Sequence, residues 1–139
     1  MIDLVEGLRL AVDTGVLTLI WLVQLVIYPG LTRYAASNLK SWHSIYTRRV
    51  TYVVLPLMLI QLGISCYQVL FVHSISDILH LCFIAIAWVI TFIKAVPLHQ
   101  AIDVSTDGNK IAYQLIKVNK TRTVMWTAAW LLSVIVIFI

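Results

Sequence analysis

The chain has 139 residues, of which 61% are hydrophobic and 12% are charged, and its formal net charge is +4. Soluble domains are roughly half apolar and about one-quarter charged, so this composition predicts a membrane protein. The positive charge does not indicate nucleic-acid binding, because the basic residues adjoin apolar runs; anionic lipid headgroups are the expected counter-charge. Two cysteines, Cys66 and Cys82, are too few for a disulfide scaffold.

Four apolar stretches approach the length of about 20 residues that a membrane-spanning helix needs. They cover residues 8–28, 50–72, 78–96 and 121–139 of a single domain, 1–139. The first stretch ends at Pro29 and Gly30, a pair that favours a helix stop, and the third ends ahead of Pro97. The sequence therefore predicts an all-α integral membrane bundle of four transmembrane helices.

Basic residues are concentrated in two of the three connections between these spans. Nine of the ten lie on one side of the predicted bundle: Arg33, Lys40, Arg48, Arg49, Lys94, Lys110, Lys117, Lys120 and Arg122. Only Arg9 belongs to the other side. Because cytoplasmic loops are enriched in Lys and Arg, we expect both basic connections in the cytoplasm, both termini outside, and the chain in the cell inner membrane as a multi-pass protein.

Two segments beside these connections have the spacing of amphipathic helices. In residues 36–49, apolar Leu39 and Ile45 alternate with polar residues, and residues 110–120 show a similar pattern. Segments of this kind lie in the headgroup layer. We therefore expect amphipathic interfacial segments on the cytoplasmic side, where a residue such as Arg48 is most simply a lipid anchor.

Each predicted helix carries its polar and aromatic residues on one face. Helical spacing gives four stripes: Asp13, Gln24 and Tyr28; Met58, Gln61, Ser65 and Gln68; His80, Thr91 and His99; Asn119, Arg122, Trp126 and Trp130. Polar groups within a membrane face the bundle interior, because exposing them to lipid is costly. The four stripes should therefore meet in the middle of the bundle.

The cytoplasmic mouth of the bundle is the richest polar region and provides the candidate site. The candidate cofactor-binding residues are His43, His99, Gln24, Gln61 and Tyr28; His43 and His99 are also the candidate metal ligands; the candidate catalytic residues are Arg122, Asn119 and Tyr46. A histidine is a poor lipid anchor because it need not be charged at neutral pH. Two histidines on facing helices can instead ligate a haem iron or form part of a transition-metal site.

Other chemistry stays open for the same region. Arg122 and His99 could bind a phosphate or a carboxylate, since arginine suits bidentate recognition of anions. A carboxylate-rich di-iron site is disfavoured, because Asp103 is expected in a loop outside the bundle. A nucleophile paired with a base is also disfavoured, because no histidine is expected beside Ser65 or Cys66.

Five motifs, WLVQLVIYPG, WHSIYTRR, LPLMLIQL, FIKAVPLHQ and NKTRTVMW, resemble those of a family of small bacterial four-helix integral membrane proteins. The resemblance extends from about Trp21 to Trp126 and implies that the polar residues of these motifs share one site, without implying an activity. In size and helix count the chain is more distantly similar to haem-binding protoporphyrinogen oxidases and to anthrone-oxygenase-like membrane proteins. The haem-binding family has a histidine in its first helix, whereas the first span here has none.

The sequence thus favours a small membrane oxidoreductase that binds haem or a transition metal at the cytoplasmic mouth. Two alternatives belong to other classes: a non-enzymatic subunit or lipid-binding module of a larger membrane complex, and a transporter that oligomerises because four helices form a thin pathway. In the non-enzymatic alternative no cofactor is bound, and the polar residues join helices at about 0.6–2 kcal/mol per interaction. The expected partners are membrane lipids, further copies of the chain or other subunits, and no nucleic acid.

Overall fold

A computed structural model describes residues 4–138, and within that range the chain forms four helices and no strands. Helix α1 covers Leu4–Leu31, α2 covers Ala36–Phe71, α3 covers Ile75–Val104 and α4 covers Gly108–Phe138. Each of the four is long enough and apolar enough to cross a membrane. The predicted all-α architecture of four helices is confirmed, and the four candidate spans indicate a multi-pass membrane protein.

The helices are longer than the predicted spans. Helix α2 has 36 residues, which corresponds to about 54 Å at 1.5 Å per residue, whereas the hydrocarbon core of a bilayer is about 30 Å thick. Residues 36–49 continue into the second apolar stretch without a break, and residues 110–120 lie within α4. The two amphipathic segments are therefore the ends of long helices at the same end of the bundle.

Two helices continue through a proline at which the sequence favoured a helix end. Helix α1 passes Pro29 and ends at Leu31, and α3 passes Pro97 and ends at Val104. A proline inside a helix donates no backbone hydrogen bond, and its ring clashes with the carbonyl group four residues earlier. The expected helix ends are therefore wrong, because the preceding turn of each helix adapts to the proline.

That adaptation is a wide π-helical turn in each helix, Val23–Ile27 in α1 and Thr91–Ala95 in α3. In the second turn, the backbone N–H of Val96 donates to the carbonyl oxygen of Thr91, five residues earlier. A π turn inserts one extra residue and is frequent at functional sites. The insertion rotates the following residues, including Tyr28 and His99, relative to the first part of each helix.

Apolar side chains fill the interior in two clusters. One includes Leu31, Leu39 and Leu115 and lies at the end that bears the connections 32–35 and 105–107. The other includes Met58 and Trp126 and lies in the middle of the bundle. Large apolar side chains also cover the outside of the bundle, as expected for helices that face lipid: Leu25, Val26, Tyr52, Leu70 and Ile93 are all at least 60% exposed.

Candidate functional site

A line of hydrogen bonds connects three helices at the end that bears the connections 32–35 and 105–107. Tyr28 Oη lies 2.8 Å from His99 Nε2, and His99 Nδ1 lies 2.8 Å from His43 Nε2. His43 Nδ1 in turn lies 2.8 Å from Asp103 Oδ1. Tyr28 and His43 are buried, His99 is partly buried, and the Asp103 side chain is 38% exposed. The four residues, called the histidine line below, lead from the interior to the surface.

The elements that hold the histidine line explain its geometry. Tyr28 and His99 each follow a π turn, in α1 and α3 respectively, and His43 lies in the amphipathic first part of α2. The Tyr28 and His99 rings pack edge to face, with centroids 5.5 Å apart. Because α3 continues past Pro97, Asp103 lies in its last turn and reaches His43. The expectation that Asp103 lies outside the bundle in a loop is therefore wrong.

A second hydrogen-bonded group joins α1 to α4. Asn119 Nδ2 donates to Gln24 Oε1 at 2.9 Å, and Arg122 Nη1 donates to Asn119 Oδ1 at 3.0 Å. The Arg122 guanidinium lies over the ring of Trp126, with Cζ 5.1 Å from the ring centroid, a cation–π contact. Arg122 is 6% exposed, and its buried Nε has no hydrogen-bond partner within residues 4–138. This charged side chain therefore has unused donor capacity inside the protein.

A cavity of about 280 Å³ lies between α1, α2 and α3 and reaches α4 at its base. Its walls are apolar side chains, including Ile20, Val54 and Met58. Four polar side chains line it towards one end, Tyr28, Tyr46, His99 and Arg122, and Thr51 and Thr91 line it as well. The histidine line and the Arg122 group thus meet at this cavity, since each contributes lining residues.

A third polar group lies in the other half of the bundle and is centred on Asp13. Asp13 Oδ1 accepts a hydrogen bond from Gln61 Nε2 at 2.7 Å, and Oδ2 accepts from His80 Nε2 at 2.8 Å and from Ser133 Oγ at 2.6 Å. These four residues come from four different helices and are each at most 2% exposed. Asp13 therefore ties α1 to α2, α3 and α4 at one point.

His80 makes a further contact that the sequence pattern did not predict. Its Nδ1 lies 3.1 Å from Ser65 Oγ, and both side chains are buried. The expectation that no histidine lies beside Ser65 is therefore wrong. Near the same end of the bundle, Arg9 Nη1 donates to Asp77 Oδ1 at 2.7 Å and to Gln68 Oε1 at 3.0 Å, which forms a buried ion pair.

The structure separates the predicted site residues into two places. Seven of the eight lie around the cavity or in the groups that reach it: His43, His99, Tyr28, Tyr46, Gln24, Asn119 and Arg122. Gln61 instead belongs to the Asp13 group, although its Oε1 accepts a hydrogen bond from Trp126 Nε1 at 3.0 Å. Asp103, which the predicted set lacks, completes the histidine line.

The two histidines proposed as metal ligands contact each other directly. Their nearest nitrogens are 2.8 Å apart, and the ring centroids are 5.0 Å apart with planes at 23°. Metal–imidazole bonds are about 2.0 Å long, so two nitrogens on opposite sides of one iron lie about 4 Å apart. Axial haem ligation therefore does not fit this arrangement. Within residues 4–138 no group of three or more His, Cys, Asp or Glu residues is placed to hold a metal ion.

No family model, curated protein or solved structure matches the chain in the comparisons made. The resemblance to small bacterial four-helix membrane proteins and the binding of haem or a transition metal therefore stay predictions. Functional conclusions depend on the geometry of the cavity and of the polar groups that reach it.

Proposed function

We propose that the protein takes an amphipathic molecule with an acidic oxygen head group from the bilayer and binds it in the cavity, with the head at Arg122. The observation that supports this most strongly is the position of Arg122. It is 6% exposed, lines the polar end of a mostly apolar cavity, and leaves a buried Nε without a partner in the described part of the chain.

The charge balance around Arg122 favours an anionic head. A buried charge is costly unless an opposite charge and hydrogen bonds compensate it. Among residues 4–138, the ion pair of Arg9 with Asp77 and the carboxylate contacts of His43 and His80 do not include Arg122. A carboxylate or phosphate placed in the cavity would supply the missing negative charge, and the hydroxyls of Tyr28 and Tyr46 line the same end.

The walls and the rim of the cavity favour an apolar tail. Thr51, Leu55 and Phe92 line the cavity and are also exposed on the outside of the bundle, so the cavity opens between α2 and α3. Pockets for small ligands usually hold about 300–1,000 Å³, and this cavity is at the lower limit. It accommodates a head group and the first part of a chain, while the rest of the tail extends into lipid.

This proposal corresponds to the lipid-binding alternative derived from the sequence. A haem- or metal-binding oxidoreductase stays a prediction, and the direct contact between His43 and His99 does not favour it. We further propose that the end bearing the histidine line faces the cytoplasm of the cell inner membrane. The basic residues of the connections and of the adjoining helix ends support that orientation.

Equilibrium binding of radiolabelled dodecanoic acid to the protein in nanodiscs tests the proposal. Hydrogen bonds to a charged group contribute about 1.5–3 kcal/mol, so Arg122→Gln should weaken binding by roughly 10- to 150-fold. Arg49→Gln is the matched control, since Arg49 is exposed and does not line the cavity. Equal affinities of the Arg122 and Arg49 variants would overturn the proposal.

A second variant keeps the test valid if loss of Arg122 unfolds the bundle. Val54→Trp fills the cavity from α2 and leaves every hydrogen bond of Arg122 in place. We expect this variant to melt cooperatively and to lose dodecanoic acid binding. Retention of full affinity with the cavity filled would place the ligand elsewhere and overturn the proposal.

A further inference from the structure

We propose that the histidine line carries a proton between the ligand head in the cavity and the aqueous surface at the connection 105–107. This inference depends on the proposed function and narrows the ligand to a molecule whose head group binds and releases a proton, for which a carboxylic acid is the simplest class. The protein would then take up the ligand from the bilayer as the neutral acid and bind it in the cavity as the anion.

The two ends of the line are placed for this role. Tyr28 and His99 line the cavity, next to the polar end that contains Arg122, whereas His43 does not line it. Three consecutive contacts of 2.8 Å join Tyr28 to Asp103, whose side chain is 38% exposed. The line therefore begins where a ligand head would bind and ends where water reaches the protein.

The donor and acceptor atoms allow one consistent arrangement when Asp103 is ionised and both imidazoles are neutral. His43 Nδ1–H then donates to Asp103, which leaves His43 Nε2 as an acceptor for His99 Nδ1–H. His99 Nε2 is then the acceptor for the Tyr28 hydroxyl. Every donor points toward the surface, and a phenolic oxygen that donates its proton to His99 can still accept one.

A proton shift along this arrangement balances without any other reactant. The acid head gives its proton to Tyr28 Oη, and Tyr28 gives its own proton to His99 Nε2. His99 passes its Nδ1 proton to His43 Nε2, and His43 passes its Nδ1 proton to Asp103. The net change is one carboxylic acid ionised beside Arg122 and one Asp103 carboxyl protonated, from which water removes the proton. The reverse shift restores the starting tautomers when the ligand leaves.

An acid that enters from the membrane has to release a proton inside the protein. A carboxylate is costly to move through hydrocarbon, so the acid enters between α2 and α3 in its neutral form. The buried guanidinium of Arg122 attracts the ionised form, and the cavity walls are mostly apolar. The proton released on pairing therefore needs a route, and the histidine line is a continuous hydrogen-bonded route to the surface.

Stopped-flow mixing of the protein in nanodiscs with dodecanoic acid, in weak buffer containing a pH-indicator dye, measures the proton release directly. Loss of a positioned proton-transfer group slows a reaction by about 100-fold or more, and we expect that slowing in His43→Gln and Asp103→Asn. Equilibrium binding in the same variants should be unchanged, because neither residue lines the cavity. Asp107→Asn is the matched control, since Asp107 is exposed and lies outside the line.

The outcomes separate this inference from the proposed function. Slow proton release in both line variants, with binding retained and Asp107→Asn normal, supports the relay. A different result overturns the proton relay but not the proposed function: binding requires Arg122, and protons are released equally fast in Asp103→Asn and in the unaltered protein. Absence of Arg122-dependent binding overturns both. If His43→Gln unfolds, Asp103→Asn alone tests the relay. We expect this variant to fold, because the Asp103 side chain is partly exposed and asparagine still accepts the hydrogen bond from His43.

Discussion

Replacing Asp13 should destabilise the whole bundle, because this one side chain contacts all three other helices. Its carboxylate accepts hydrogen bonds from Gln61, His80 and Ser133 at 2.6–2.8 Å, and it is 1% exposed. In Asp13→Leu, the number and branching of the side-chain heavy atoms are kept, but all three bonds are lost. The donors of the three partners are then left without their acceptor in a buried place.

The size of the effect follows from the number of bonds. Hydrogen bonds between membrane helices contribute about 0.6 kcal/mol on average and about 1.7 kcal/mol at most. Three bonds therefore predict a loss of about 2–5 kcal/mol in the free energy of unfolding. Asp13→Asn should fall between the unaltered protein and Asp13→Leu, because an amide keeps one of the two oxygen acceptors.

Titration with dodecyl sulfate in mixed micelles, followed by circular dichroism, measures this free energy. The matched control is Thr18→Val on the same helix, where the exposed hydroxyl donates to the Thr14 carbonyl oxygen; surface changes of this kind stay within about 0.5 kcal/mol. A double-mutant cycle of Asp13→Asn with Ser133→Ala should give a coupling energy of about 1 kcal/mol. Equal stability of Asp13→Leu and Thr18→Val would show that the Asp13 hydrogen bonds do not stabilise the bundle.

Three further predictions concern other parts of the bundle. Asp77→Ala leaves Arg9 as an uncompensated buried charge and should lower the free energy of unfolding by about 3–5 kcal/mol. The double change Arg9→Met with Asp77→Leu should be near neutral. Thermal melts in which the double variant is less stable than Asp77→Ala would contradict this. Gly63→Ala should stabilise α2 by about 0.5–1 kcal/mol, since no described atom other than the adjoining residues and backbone of α2 lies within 4 Å of the added carbon, and a lower melting temperature would oppose it. A reporter enzyme that is active only outside the cytoplasm should be inactive when inserted at position 106 and active after position 138; the opposite pattern would invert the proposed orientation.

Much of the site could be predicted from periodicity, because a residue's face on a regular helix depends only on its spacing. Tyr28, Asn119 and Arg122 lie where their stripes placed them, at one end of the bundle interior. His43 and His99 were expected at one depth on different helices, and they are in direct contact.

The sequence pattern failed where a helix departs from regular geometry. A proline usually ends a helix, so the sequence predicts a boundary at Pro97 and places Asp103 outside the bundle. The π turn Thr91–Ala95 lets α3 continue and brings Asp103 to His43. Within a single sequence, a proline that ends a helix and one that a π turn accommodates look alike.

Contacts between the polar stripes of different helices also could not be predicted from periodicity. Asp13 and His80 each lay on a polar stripe, but periodicity within one helix does not give the register between two helices. The same limit explains why periodicity predicts neither the contact of Gln61 with Asp13 nor that of Ser65 with His80. Such contacts depend on helix packing, which only the three-dimensional arrangement defines.

Photocrosslinking tests the central claim, ligand binding at Arg122, most directly. The probe is a dodecanoic acid that carries a diazirine near its carboxyl group, applied to the protein in nanodiscs and located by peptide mass spectrometry. We expect labels within residues 46–58 and 91–99 that excess dodecanoic acid removes and that are absent in Arg122→Gln. Ligand binding at Arg122 would be contradicted if labels were confined to the outer surface, for example around Leu70, and were unaffected by competitor or by Arg122→Gln.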